Sequence, residues 1–193
     1  YKKFNQIYHF IEEFKEADLS KLDSRISLIY RNYEKKIDIN LIKTIKEFCK
    51  RTKRKFYLAN NVNLAYKLNL DGAYIPSFNN SIRHNQYNKR LKFMLIGSAH
   101  NIKEIIIKQK QKVEYLFLSP VFKINKKQNF LGIHKFLKLK NFSKKKTIAL
   151  GGIGKKNIKK LNLLECSGFA AISHIKEIYK KNEYWRTAKY YFK

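Results

Sequence analysis

The stretch "TIALGGIGKKNIKKLNLLECSGFAAIS", Thr147 to Ser173, contains the unit from which the fold can be read. Four mostly apolar residues run into a glycine pair. A basic segment of helical character, "KKNIKKLNLLEC" (155–166), follows, and "GFAAIS" (168–173) is a second short apolar run. A strand, a helix and another strand in succession make the repeating unit of a parallel sheet, because parallel neighbours need a crossover connection.

The same alternation runs back through the chain. Strands are predicted at 6–11, 25–33, 55–60, 71–76, 92–99 and 114–120, and helices at 39–52, 62–69, 101–111 and 133–140. The 39–52 segment carries Ile39, Leu41, Ile42, Ile45, Phe48 and Cys49 on one helical stripe. "NNSIRHNQYNKRL" (79–91) is polar and weakly helical, and the aromatic stripe at 182–192 reads as packing. Eight strand–helix units predict an α/β fold, a compact (β/α)8 TIM barrel, over residues 1–193 as one domain. The alternative is an open doubly wound sheet, which needs only five or six strands.

Bulk composition narrows the function. No apolar run reaches the roughly 18 residues of a membrane span. Acids in the first turns and the lack of a small-residue cleavage site argue against a signal peptide. Cys49 and Cys166 lack metal spacing and read as buried thiols of a reducing compartment, so a cytoplasmic location is expected. The net charge is +29. Its lysines are scattered over every segment, alongside abundant Asn, Ile, Tyr and Phe, which reads as a solvated surface shaped by compositional bias. A nucleic-acid surface would cluster its charge, mix in Arg and interleave aromatics. A nucleic-acid-associated basic protein, whose binding would fall steeply with salt, is therefore only a further alternative. Attraction of small anionic substrates remains open.

The chain has seven glycines, and Gly151, Gly152 and Gly154 are three of them. Active sites of eight-stranded barrels lie at the C-terminal strand ends, and phosphates recur after strands seven and eight. Gly151 and Gly152 end the seventh predicted strand; Ile172 and Ser173 end the eighth. A missing Cβ lets backbone N–H groups approach an anion closely. A tight turn that merely needs glycine is the plainer reading of the pair. The spacing to the second strand end favours phosphate binding by Gly151, Gly152, Ile172 and Ser173.

Five segments carry a resemblance to the thiamine phosphate synthase/TenI-like superfamily. They are "NNVNLAYKLNLDGAYIPS" (60–77), "LIGSAH" (95–100), "LSPVFKINKKQNFLGI" (118–133), "IALGGIGKKNI" (148–158) and "GFAAISHI" (168–175). They fall in the family's order over about residues 25–175. The resemblance implies a phosphate-binding barrel of thiamine biosynthesis. Such a transferase joins an aminopyrimidine methyl diphosphate to a thiazole phosphate, with Mg²⁺ on the departing diphosphate. It also implies an ability to self-associate. By position, Ser98 matches a serine near the reacting pyrimidine, and Arg31 matches the arginine ending strand two. Lys127, or Lys126 one residue away, matches a flexible-loop lysine.

Other positions depart from the family. Its two metal-ligating aspartates fall on Asn60 and Asn79, so the metal site keeps carbonyl oxygens and loses two negative charges. A family Gln falls on Ile29, a Lys on Tyr33 and an Asn on Ala59. Lys35 or Lys123 could compensate. The TenI-like branch is echoed by "IPSF" (75–78), yet its general-base histidine falls on Pro120. A TenI-like or catalytically impaired binder of a phosphorylated ligand is thus the second expectation. His100 and His174 are the ring bases nearest the predicted mouth. His100 suits either a substrate contact or a structural bond at a helix start, and His174 either pairs with the phosphate or lies exposed.

Overall fold

The computed structural model describes residues 4, 6–34, 36–86, 91–124, 129–171 and 175. Lys35, Lys126, Lys127, Ile172, Ser173, His174 and the 182–192 stripe lie outside these residues.

Eight parallel strands close into a barrel in sequence order. They are β1 (Gln6–Ile11), β2 (Ile26–Tyr30), β3 (Phe56–Ala59), β4 (Gly72–Ile75), β5 (Met94–Ala99), β6 (Tyr115–Leu118), β7 (Lys146–Leu150) and β8 (Gly168–Ala171). The closing seam pairs Gln6 with Gly168 and His9 with Ala171. The open-sheet alternative is therefore excluded.

Each strand is buried on both faces, as a barrel wrapped by helices requires. Tyr8 and Phe10 of β1 point inward and pack with Ile29, Tyr57, Tyr74, Ile96, Phe117 and Ile148. Their neighbours Ile7 and Ile11 join the larger outer cluster with Ile45, Phe48, Ile105 and Phe136. Burial on both sides explains why the strands read as continuous apolar runs.

The helices are α1 (Glu16–Ser20), α2 (Ile39–Arg51), α3 (Val62–Lys67), α4 (Ile102–Lys110) and α5 (Gly132–Phe142). Short polar side chains start three of them. Asp38 accepts from the N–H groups of Asn40 and Leu41, Asn61 from Leu64, and Asn101 from Glu104. α1 was not anticipated from the sequence; it is five residues long and buries only Leu19.

One predicted helix changes type. The 155–166 segment forms a 3₁₀ helix, Ile158–Leu164. Leu161 and Leu164 are its buried residues, and Ile158 is partly buried against the core. That spacing of three matches three residues per turn and not 3.6. Likewise the polar 79–91 stretch contributes a 3₁₀ turn, Arg83–Gln86. The predicted 25–33 strand stops at Tyr30, so Arg31 begins the loop that follows.

Candidate functional site

The floor of the C-terminal mouth is aromatic. Phe10, Tyr74 and Phe117 meet edge to face, with centroids 5.0 Å apart for Phe10–Tyr74 and 5.7 Å for Tyr74–Phe117. Ile29, where the resembled family carries Gln, belongs to this apolar layer. Ser98 on β5 is buried, and its Oγ accepts a 2.8 Å hydrogen bond from the Tyr74 hydroxyl. Burial holds the Tyr74 phenol above its ordinary pKa, so it remains a donor. Tyr74 is a partner of Ser98 that the sequence reading did not single out.

On the β7 side, Gly151 and Gly152 have φ of +93° and +69°. A Cβ on Gly151 would meet Pro120 Cβ at 2.8 Å, and one on Gly152 would meet the Phe122 carbonyl oxygen at 2.4 Å. Both the conformation and the crowding demand glycine here. The turn is braced by hydrogen bonds: Phe122 N–H donates to the Gly151 carbonyl, and Asn157 Nδ2 donates to the Gly152 carbonyl at 2.6 Å. Asn157 Oδ1 also accepts from Gly154 N–H at 2.9 Å. Asn157 was missed by the sequence reading, although Asn near loop glycines is a general turn signal.

Around the rim, Arg31 follows β2. Its guanidinium lies 5.2 Å from the Phe10 ring centroid and pairs with Glu12 at 2.6 Å. Glu12 was not predicted, and its carboxylate already engages the arginine expected to hold an anion. His100 follows β5. Its backbone N–H donates to Glu104, and its Nδ1 donates to the Ser119 carbonyl at 2.7 Å. A carbonyl can only accept, so Nδ1 carries the proton and Nε2 is the nitrogen outside that bond. This geometry fits the structural-bond reading of His100. His84 is buried and bonds the Gln111 carbonyl at 2.9 Å.

A cavity of about 380 Å³ opens between the loops after β2, β3 and β4. Tyr33, Ile37, Leu58, Ala59, Asn60 and Phe78 are among its lining residues. Tyr33 and Phe78 meet edge to face at 5.5 Å. Partial desolvation pushes the half-exposed Tyr33 phenol up to about 12 against the opposing pull of Arg31, so it is neutral at ordinary pH.

Asn60 and Asn79 come together at this corner. Asn79 Nδ2 donates to Asn60 Oδ1 at 2.7 Å, while Asn79 Oδ1 accepts from Ser81 N–H at 2.9 Å. Asn60 has φ +60°, a region that Asn tolerates better than most residues. Among the described residues, no group of three or more His, Cys, Asp or Glu could hold a metal ion. Affinity for hard divalent cations rises with the number of charged oxygens, whereas these amides are neutral and already bonded to N–H donors. The pair does not fit the Mg²⁺ site that the resemblance implied.

Lys108 stands behind Asn79. This α4 residue is 0% exposed, and its ammonium donates to the Asn79 carbonyl at 2.7 Å and to Gln111 Oε1 at 2.9 Å. Gln111 Nε2 donates to the carbonyls of Asn79 and Ser81. Burial lowers the Lys108 pKa from 10.5 to about 8, against the pull of Glu104. Below pH 8 both folded and unfolded chains hold this proton. Between 8 and 10.5 the unfolded chain holds more, so this group's contribution makes stability rise with pH across that window. The stability of the parent relative to Lys108→Met is expected to climb from pH 8 to 10. Urea melts at matched pH check this, and a flat difference would contradict it.

Across the barrel, the Gly151–Gly152 turn follows β7, while Asn60 follows β3 and Asn79 follows β4, four and three strands away in the ring. Tyr74 lies on β4 itself, and Ser98 on β5, the next strand toward the glycine turn. The mouth thus combines a glycine turn, an aromatic floor and a neutral amide corner. No helix among the described residues is long and apolar enough to cross a membrane.

Comparison with known proteins agrees with the barrel fold. The sequence profile described as "Thiamine monophosphate synthase" matches residues 13–175. A thiamine-phosphate synthase of Methanococcus vannielii is 28% identical over 123 residues, covering 62% of this chain and 59% of that protein. The chain thus spans about three fifths of that relative's length. A second thiamine-phosphate synthase, from Lactococcus lactis, is 23% identical over 152 residues, covering 77% and 70% respectively. The fold matches a thiamine phosphate pyrophosphorylase from Pyrococcus furiosus with TM-score 0.70 at 16% identity, over 90% of this chain and 91% of the other. One from Bacteroides thetaiotaomicron gives 0.61 at 15% identity, over 93% and 88%. With a profile match over most of its length, this chain belongs to the thiamine monophosphate synthase/TenI family.

Proposed function

We propose that the protein is a transferase of the thiamine phosphate synthase type, holding a thiazole phosphate at the β7–β8 side of the mouth. The observation that carries this reading is the Gly151–Gly152 turn. It ends β7, leaves no room for side chains and presents bare backbone where barrels of this kind take phosphate. Ile172 and Ser173 would complete that site from β8, with His174 beside it.

The second substrate is an aminopyrimidine methyl diphosphate. Its methylene C–O bond breaks with the electron pair leaving on diphosphate, and the thiazole nitrogen lone pair forms the new C–N bond. The step needs no redox partner. Positive groups must meet the charge that develops on the leaving oxygen. Arg31 and Lys127, or Lys126, are assigned that role and Ser98 the pyrimidine; His100, held by Nδ1 on the Ser119 carbonyl, would reach substrate only through Nε2. Mg²⁺ enters no step here, because Asn60 and Asn79 do not supply its ligands.

A second reading is favoured by the Asn60–Asn79 bond: a TenI-like protein that binds the phosphorylated ligand without turnover. One experiment separates the two. Thiazole phosphate is titrated calorimetrically, then the pyrimidine diphosphate is added with and without Mg²⁺ and thiamine phosphate is assayed. Binding with product is expected. Binding without product transfers the protein to the second reading, and no binding removes both.

A further inference from the structure

We propose that Lys108 is a positioning residue of the mouth, one that locks Asn79 onto Asn60 and keeps divalent metal ions out of the β3–β4 corner as a cation fixed behind that pair. The inference concerns the same mouth but does not rest on turnover or on thiazole phosphate binding.

Three observations carry it. First, the oxygens at the corner are engaged. Asn60 Oδ1 accepts from Asn79, Asn79 Oδ1 accepts from Ser81 N–H, and the Asn79 carbonyl accepts from both Lys108 and Gln111. A metal would have to displace these donors and would gain no negative charge in return.

Second, the ammonium lies within hydrogen-bond distance of the same residue that would have to ligate the ion. Lys108 is wholly enclosed, so water and salt screen its charge poorly. A divalent ion at residue 79 would face that charge at short range.

Third, the barrel makes room for the lysine. A Cβ on Gly97 of β5 would lie 3.1 Å from Lys108 Cδ and 3.1 Å from the Ile75 carbonyl oxygen. The missing side chain at 97 lets the lysine stem pass between α4 and the sheet and reach the loop after β4. The ammonium therefore arrives from outside the barrel and fixes Asn79 through its backbone, leaving the side-chain amide to face Asn60. Nothing in the family resemblance assigns a role to this lysine.

The test is a Mn²⁺ titration of the full chain at pH 7, followed by the electron paramagnetic resonance signal of the free ion. Wild type is expected to show no saturable site. Asn60→Asp with Asn79→Asp is expected to gain one, because two charged oxygens now compete for the ion. Adding Lys108→Met to that pair is expected to tighten the site about tenfold again, since the opposing charge is gone while the stem's length remains. Should the triple variant not melt cooperatively, Lys108→Gln replaces Lys108→Met; it keeps a donor toward Asn79 and drops the charge.

A saturable Mn²⁺ site in wild type that Asn60→Ala removes would overturn the proposal. So would an Asp pair that gains no site, or an affinity in the Asp background that is indifferent to Lys108. A lysine serving stability alone would leave the Mn²⁺ affinity of the Asp pair unmoved. Thiazole phosphate binding is measured on the same samples. Its loss in wild type bears on the proposed function, and the Mn²⁺ result bears on this inference alone.

Discussion

Gly152→Ala is expected to cut thiazole phosphate affinity on the order of a hundredfold, about 2.7 kcal/mol, while the barrel still forms. Two costs coincide at this residue. A side chain at φ +69° pays about 1–2 kcal/mol for the left-handed backbone alone. Its Cβ would also stand 2.4 Å from the Phe122 carbonyl oxygen and 2.8 Å from that of Lys123, both backbone atoms that cannot rotate away. Either the turn or the 122–123 segment has to move, and the N–H groups proposed to meet the phosphate move with it. Calorimetric titration and a thermal melt read the two effects separately. Undiminished affinity in a folded variant would remove the turn from the binding site. Loss of stability without loss of affinity would return the glycine pair to the plainer tight-turn reading.

Arg54→Ala is expected to have the largest effect on the fold, on the order of 4 kcal/mol. Arg54 lies between α2 and β3 and is 6% exposed. Its Nη1 donates to the carbonyl of Asp23, and its Nη2 donates to those of Leu19 at 3.1 Å and Leu22 at 2.7 Å. These carbonyls end α1 and lead into β2, a segment that also buries Leu19 and Leu22 in the core. The guanidinium fork meets several acceptors at once, so Arg54→Lys is expected to recover only part of the loss. Denaturant melts of the two variants check the order. An Ala variant as stable as the parent would mean that water satisfies these carbonyls.

Much of the architecture was written in the strands. Tyr8, Phe10 and their neighbours are buried whichever way they point, so the runs are continuously apolar and their number distinguishes a closed barrel from an open sheet. The longest helix among the described residues was equally visible, because the 39–52 segment sets Ile42, Ile45, Phe48 and Cys49 on one buried face. The 3₁₀ segment was misread because a period of three and one of 3.6 are hard to separate over seven residues. α1 escaped because one buried leucine makes no stripe. At the site, local signals such as the glycine pair were legible, since their chemistry is carried by adjacent residues. The partners were not. Glu12 reaches Arg31 across 19 positions, Tyr74 reaches Ser98 across 24, and Lys108 reaches Asn79 across 29. Such contacts are created by strand order and register, and no spacing rule announces them.

The closing seam also has a consequence for how the chain is made. β1 bonds to β2 on one side and to β8 on the other, and His9 meets Ala171 across 162 positions. During synthesis β1 emerges first, and its second edge has no partner until β8 leaves the ribosome. At roughly 5–20 residues per second, that wait is on the order of 10–30 s. Through it the nascent chain exposes a strand edge able to pair with a neighbouring copy. Lysines scattered over every segment set like charge against like charge between such copies, which opposes their association. The same surface that says little about a partner thus guards an unfinished barrel against its own kind.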